Sequence, residues 1–334
     1  MTDRTNRRLV LSSRPEGPPK RSDFRLETVP VLDPLDGEIV MRNRWLSIDP
    51  YVRGMLSGAL PVGTLVEAAV VAEIVESSVP DHAVGQLVVG LDGWQDYATV
   101  MAGSVRPIPD VIKGRPSDAL GVLGATGFTA YIGLIEFGRP RAGDTMVVAA
   151  AAGAVGSIAG QIAKIRGARA VGIAGGEEKC RALIEEFGFD AAVDRRSPTF
   201  LEDLQAACPD GIDIYFENVG GLVTLATLPL LNPGARIPLC GFVAHYNDRI
   251  PNVGTDNLPV YLGAILRKRA VVTGFMIDDW EHLRPQFERD MSIWLGDGRV
   301  RHRIDVTEGL ENAPEALARV LDGRSFGKAV VQLP

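Results

Sequence analysis

The sequence predicts an α/β protein of two domains, a doubly wound parallel sheet inserted into a β-rich domain that draws on both ends of the chain. Three observations predict it. Apolar runs and helical repeats alternate from Thr145 to Gly274, a small-residue turn follows the first of those runs, and short strands punctuated by Gly, Pro and Asp fill the first 120 or so residues. The expected boundaries are residues 1–122 and 295–334 for the β-rich domain and 123–294 for the sheet domain.

In the N-terminal part, Glu38–Leu46, Leu65–Val75, Gln86–Leu91 and Tyr97–Met101 read as strands, and nothing has a sustained helical period. A helix is expected from Gly127 to Phe137, stopped by Gly138 and Pro140. Met146–Ala149 is a short apolar run of the kind buried on both faces. Strands then follow at Ala168–Ala174, Ala191–Asp194, Ile212–Glu217, Arg236–Cys240 and Val271–Gly274. The helices between them fall at Glu177–Phe187, Phe200–Ala207, Leu222–Leu231 and Tyr261–Lys268. Six strands with crossover helices specify a doubly wound parallel sheet. After Trp280 a long helix leaves that sheet. A strand (Val300–Val306), a helix (Pro314–Leu321) and a last strand (Lys328–Gln332) then return to the β-rich domain.

The turn after the first sheet strand carries Ala151, Gly153 and Gly156 at the spacing A-x-G-x-x-G, with Ala154 and Val155 between the glycines. Residue 151 is expected to turn tightly, Gly153 to let the backbone approach a pyrophosphate, and Gly156 to let the helix lie close on the strand. The helix N-terminus offers free N–H groups to the phosphates. Small residues in a turn also serve plain packing, and Thr145–Ala163 is free of charge over a span long enough to cross a bilayer. The strand and helix repeats on either side favour the dinucleotide site.

Composition is that of a soluble globular enzyme: 334 residues, 46% hydrophobic, 23% charged, net charge −7. That charge gives no general attraction to nucleic acid or to an anionic membrane. The N-terminus lacks the apolar core of a signal peptide, so a cytoplasmic location is expected. Cys180, Cys208 and Cys240 form no paired motif and suit a reducing compartment.

The second strand ends at Ala174, where an NAD-binding protein would place an acid on the ribose 2′-hydroxyl. Here Gly175 and Gly176 follow instead. Glu177 and Glu178 fall in the first turn of a helix, where acids are favoured anyway. Lys179 comes next, and Arg195–Arg196 follow the third strand. Small residues, a missing acid and nearby cations suit a 2′-phosphate, hence NADP. Lys179 has the alternative of a solvated helix face, and Arg195 that of an ordinary charged loop. A Cys/His zinc site is not expected. Residues 1–179 hold no cysteine and a single histidine, His82, and no C-x-x-C pair exists.

The segments SIDPYVRGM (47–55), GATGFTAYIGL (124–134), AAAGAVGSIAGQIAKI, AGGEEK (174–179), PDGIDIYFENVGG (209–221), HYN (245–247) and GRSFGKAVV occur in that order along nearly the whole chain. Together they resemble the zinc-independent medium-chain reductases: prostaglandin and leukotriene-type reductases, plant alkenal double-bond reductases and bacterial curcumin-reductase-like enzymes. The resemblance implies a GroES-like β-rich domain, a Rossmann domain and NADPH-dependent reduction of the C=C bond of an α,β-unsaturated ketone or aldehyde. It implies that Lys179 binds the 2′-phosphate, that Asn218 lines the cofactor site and that Thr129 lies by the nicotinamide. Tyr51 and Tyr246 would face the substrate. It also implies a homodimer joined through the edge of the Rossmann sheet, where the sixth strand is expected. Three departures stand out. Arg195 replaces a common Tyr, Ser325 stands where Asn is frequent near the C-terminal Gly-Lys, and Ala125-Thr126-Gly127 replaces M-P-G or M-A-G.

Hydride addition to the β-carbon of an enone builds charge on the carbonyl oxygen, so a donor placed there is the group that matters. Tyr246 follows the fifth strand, at the carboxyl-end crevice where open sheets bind ligands, and its phenol stays protonated at neutral pH. Loop packing is the alternative role for Tyr246, and core packing for Tyr51. Alternative functions are a quinone oxidoreductase, an NADP-dependent secondary alcohol dehydrogenase, and a redox sensor that binds NADPH without turnover. Substrate choice would depend on the loops Leu56–Thr64 and Asn247–Leu258.

Overall fold

The computed structural model describes residues 4–248 and 256–334. The chain divides into two units, Met1–Gly121 with Ile304–Pro334, and Val122–Arg303.

In the first unit, β1 (Thr5–Leu11) and β2 (Phe24–Pro30) form an antiparallel pair. β3 (Glu38–Ser47) leads to a short helix, α1 (Tyr51–Gly54), which continues as a wider helical turn through Met55–Ala59. The sequence offered no helix here because nine residues are too few to display a period. β4 (Ala69–Ser77), β5 (Leu87–Leu91), β6 (Tyr97–Met101) and β7 (Val105–Pro107) follow.

The second unit opens with α2 (Ala125–Ile132), extended by a wider turn at Gly133–Gly138. Then β8 (Thr145–Val148), α3 (Gly156–Ile165), β9 (Arg169–Ala174) and α4 (Glu177–Glu185) alternate. β10 (Ala191–Asp194), α5 (Phe200–Ala207), β11 (Ile212–Phe216) and α6 (Gly221–Thr227) continue the pattern. β12 (Leu231–Leu239), α7 (Leu258–Lys268), β13 (Val271–Gly274) and α8 (Arg284–Gly296) complete it. The chain then returns to the first unit with β14 (Ile304–Glu308), α9 (Ala313–Leu321) and β15 (Lys328–Gln332).

The six strands of the second unit are all parallel, in the order β10-β9-β8-β11-β12-β13. The order reverses between β8 and β11, which is the switch point at which such sheets bind ligands. Val147, Ala149, Val171, Ile173, Ile212 and Tyr215 are buried completely in its core. That burial answers the uninterrupted apolar runs in the sequence. β13 lies at the sheet edge, as expected, with Val271 57% exposed. The charge-free run from Thr145 is split between β8 and α3, and among the described residues no helix is long and apolar enough to cross a membrane.

The first unit is built on a sheet ordered β14-β15-β3-β4-β5-β7, with β6 also pairing β3. β15 runs antiparallel to β3, matching Val330 with Ser47, so the C-terminal strand completes the N-terminal sheet. The chain crosses back at Arg303/Ile304, later than the 294/295 expected from sequence. The reason is hydrogen bonding: Val300 N–H donates to Trp294 O, Arg301 N–H to Gln161 Oε1, and Arg303 pairs with Glu186. These bonds hold residues 300–303 to the second unit. They also delay the strand, which begins at Ile304 rather than Val300.

Candidate active site

At the carboxyl end of β8 the chain turns sharply into α3. The left-handed residue of that turn is Ala150, with φ of 50°, and not Ala151 as the fingerprint spacing suggested. A left-handed alanine costs roughly 1–2 kcal/mol, so the turn is held by its surroundings. Ala151 is wholly buried and its N–H still donates to Ile173 O, an extension of the β8–β9 ladder. Gly156 behaves as its position requires. A Cβ there would lie 2.5 Å from Ala150 O and 2.9 Å from Ala151 Cα, so only glycine lets α3 start this close to the turn. Gly153, Ala154 and Val155 form the partly exposed rim, and Gly153 N–H is turned inward to Ala150 O. Gly153 keeps that rim low, since a Cβ would sit 3.1 Å from Ala150 O.

The ends of β9 and β10 lie side by side. Asp194 accepts the N–H of Gly176 at 2.8 Å and of Arg196 at 2.9 Å. Burial works against its ionisation, but these two N–H bonds and the charges of Arg196 and Arg195 prevail and hold its carboxyl below the usual range. Gly176, with φ of 99°, needs to be glycine. A Cβ on Gly175 would lie 3.1 Å from Arg196 Nε and 3.3 Å from Arg195 Nε. Two exposed guanidinium groups thus converge over Gly175, just where β9 ends without an acid. Arg195 was expected here. Arg196 was not singled out, and its signal was simply the second arginine of the pair. Lys179 is half-buried in the first turn of α4, on the same edge of the sheet.

At the end of β11, Asn218 Nδ2 donates to Ala149 O at 2.8 Å, which ties this loop to the turn after β8. Its Oδ1 accepts the Cys240 thiol at 3.0 Å. Burial, with the Glu217 carboxylate adding to it, pushes that thiol up to about 12, so it stays a protonated donor. Asn218 O and Val219 O accept the N–H groups of Val243 and Ala244, from the segment that carries Tyr246. The Tyr246 hydroxyl lies 3.2 Å from where a Gly241 Cβ would stand, and its ring meets Phe242 edge-on at 5.3 Å. Burial raises its pKa, opposed by a backbone hydrogen bond from Phe242, so the phenol keeps its proton at neutral pH. His245 pairs with Asp248 at 2.8 Å and is exposed. Thr129, half-buried in α2, donates its hydroxyl to Ala125 O. Of the loop Asn247–Leu258, residues 249–255 lie outside the described residues.

Tyr51 and Ser325 belong to the first unit. Tyr51 begins α1 and is 48% exposed, so it is not a core aromatic. Desolvation by its packed neighbours raises its pKa, with the Asp49 and Glu67 carboxylates adding to it. The segment before it is anchored from the far end of the chain. Lys328, 3% exposed, donates to Asp49 Oδ1 at 2.5 Å and to Ile48 O at 3.2 Å, and Ser47 Oγ donates to Asp49 Oδ2. Ser325 lies in the turn between α9 and β15. Among the described residues no group of three or more His, Cys, Asp or Glu side chains is placed to hold a metal ion.

The dinucleotide reading fits these residues. The low glycine rim at the switch point and the paired arginines over Gly175 form a cradle that larger residues would fill.

Comparison with known proteins agrees. Residues 7–108 match a family described as the N-terminal domain of oxidoreductase, and residues 154–291 one described as zinc-binding dehydrogenase. The chain is 45% identical to the NADPH-dependent curcumin reductase of Escherichia coli, over 98% of this chain and 97% of the relative. It is 36% identical to the NADP(+)-dependent 2-alkenal reductase of Nicotiana tabacum, over 98% of each. Among solved structures, CurA from Vibrio vulnificus in complex with NADPH superposes with a TM-score of 0.93 at 45% identity, over 98% of this chain and 99% of that one. The chain therefore belongs to the zinc-independent medium-chain dehydrogenase/reductase family of oxidoreductases.

Proposed function

We propose that this protein is an NADP(H)-dependent reductase of the C=C bond of α,β-unsaturated ketones or aldehydes. The observation that carries it is the pair of arginines over Gly175, in place of an acid at the end of β9. The full-length likeness to reductases of curcumin and 2-alkenals supports the substrate class. Gly153, Ala154, Val155 and Gly156 cradle the pyrophosphate at the start of α3, and Ala151 supports that turn from beneath. Lys179, Arg195 and Arg196 take the 2′-phosphate beside Gly175. Asn218 and Thr129 line the nicotinamide side.

When bound, NADPH supplies the hydride that adds to the β-carbon of the substrate. Tyr246 donates its O–H to the substrate oxygen on which negative charge builds. Its protonated state at neutral pH follows from its burial, and a donor aimed at developing charge lowers the barrier. Tyr51 is the second candidate for contact with the substrate.

A panel of enones and enals with NADPH, with products identified by mass and NMR, tests the reaction. Tyr246→Phe removes only the hydroxyl. It should leave NADPH affinity within about twofold and lower kcat by roughly 10- to 30-fold, below the 10²–10³ of a fully desolvated donor. Wild-type turnover in Tyr246→Phe, with a crippled Tyr51→Phe, would transfer the donor role to Tyr51.

The protein works as a homodimer joined along β13. Val271 on that edge strand, and Leu258, Val260, Leu262 and Leu266 on the neighbouring α7, are all more than half exposed. An uncovered strand edge with apolar neighbours is a pairing surface. Light scattering at micromolar concentration should give twice the chain mass; a monomer removes the assembly.

A further inference from the structure

Glu217 was not among the residues that the motifs brought forward, yet both its carboxylate and its main chain are tied into this end of the sheet. It directly follows β11, in a single bridge to Leu239, with 4% exposure. Its Oε1 accepts the N–H of Val219 at 2.7 Å and of Gly220 at 2.9 Å, and its Oε2 accepts the Thr224 hydroxyl. Its backbone is equally engaged. The Glu217 N–H donates to Pro238 O, and the Glu217 carbonyl accepts the N–H of both Cys240 and Gly241. The side chain therefore shapes the loop Asn218–Gly221, while the main chain holds the start of the segment that runs to Tyr246.

The two loops are joined a second time by the bonds from Val243 and Ala244 to Asn218 O and Val219 O. Those two carbonyls point toward the Tyr246 segment only while the loop keeps its shape. That shape includes left-handed backbone at Gly220 and Gly221, with φ of 77° and 59°. Two successive glycines give the loop many other conformations. The carboxylate selects one of them by accepting two consecutive N–H groups.

We propose that Glu217 is the positioning residue of this site: its carboxylate sets the loop that orients Asn218 and, through Asn218 O and Val219 O, the segment bearing Tyr246. The proposal rests on the reductase reading for its catalytic consequence, and on the loop geometry alone for its structural one. A bland alternative is that Glu217 merely caps the short helix α6. In that case its loss disturbs residues 219–224 and goes no further.

Amide hydrogen exchange on the protein without cofactor separates the two. In Glu217→Ala, amides of Gly241–Ala244 should exchange at least tenfold faster than in wild type, together with those of Val219 and Gly220. Glu217→Gln keeps an oxygen for both N–H groups and can donate to the Thr224 hydroxyl, so it should restore protection to within about threefold. With NADPH and an enone, Glu217→Ala should lose kcat at least tenfold with a smaller change in KM for the enone, and Glu217→Gln should recover most of it. Faster exchange confined to residues 219–224, or wild-type protection of 241–244 in Glu217→Ala, overturns the proposal. If Glu217→Ala does not fold, Thr224→Val decides, because it removes one of the carboxylate's hydrogen bonds. It should raise exchange at 241–244 by about threefold, and no change there overturns the proposal. Should the wild type reduce no enone while the exchange pattern appears, the positioning role stands and the substrate reading falls.

Discussion

In the sheet unit most candidate residues follow a strand by only a few positions: Gly153 after β8, Gly175 after β9, Arg195 after β10, Asn218 after β11. In the β-rich unit Tyr51 also follows a strand, but the group that anchors its segment is Lys328, 279 residues from Asp49. A parallel sheet wound from consecutive βα units brings its loops to one edge by repetition, so local pattern specifies the site. An antiparallel sheet closed by a strand from the other end of the chain obtains its anchor from a contact that local pattern does not describe. The first kind of site is spread over several loops, and the second depends on a single buried pair.

The largest effect should therefore come from that pair. Removing one member of a buried ion pair costs about 3–5 kcal/mol, because the other charge is left in the interior. Lys328→Met should lose about that much in denaturant unfolding, and the double variant Lys328→Met with Asp49→Leu should recover most of it. A loss no greater than that of Lys179→Met, in the other unit, would erase the contrast between the units.

Next in size are the cations that follow β9 and β10. A hydrogen bond to a charged group is worth about 1.5–3 kcal/mol. Lys179→Ala, Arg195→Ala and Arg196→Ala should each weaken NADPH by roughly tenfold or more in fluorescence titration, with NADH nearly unchanged. Equal losses for the two cofactors would assign these side chains to the fold.

The smallest effect concerns Asp92 in the β-rich unit. Desolvation pushes it up to about 6, outweighing hydrogen bonds from Asn43 and Gln95 and the N–H of Gly93. A carboxyl with a folded pKa above its unfolded value favours folding while protonated. That contribution is complete below about pH 4 and is lost as pH rises through 6, on the order of 1–2 kcal/mol for a partly exposed group. Asp92→Asn should flatten the pH dependence of stability in that window. An unchanged slope would move its cause to another group.

What the sequence disclosed follows the same division. The alternation of strands and helices, the edge position of β13 and the small residues at 153 and 156 all follow from short-range spacing. Ala150 was missed as the turning residue because a fingerprint marks small side chains and not the sign of φ. The helical turn at Tyr51 was missed because it is shorter than a period of evidence. Arg196 was visible but undistinguished from its neighbour. Glu217 sat inside the ENVGG motif, yet a buried carboxylate accepting two N–H groups of its own loop has no pattern of its own. Lys328 stood in a known-looking GK pair, and only the β15–β3 register assigns it to Asp49.

The pairing of β15 with β3 also sets an order of events on the ribosome. The sheet unit is one uninterrupted run, 122–303, and all its strands are available once that run has emerged. The β-rich unit has to wait: Ser47 meets Val330 only after the intervening chain has been made. At about 5–20 residues per second that interval lasts roughly 15–55 s. Throughout it, the Trp45–Ser47 end of β3, beyond its pairing with β6, has no strand on that side, and Asp49 has no ammonium group. The later half of the protein thus finishes first, and the earlier half spends its synthesis as an open sheet in need of protection from neighbouring nascent chains.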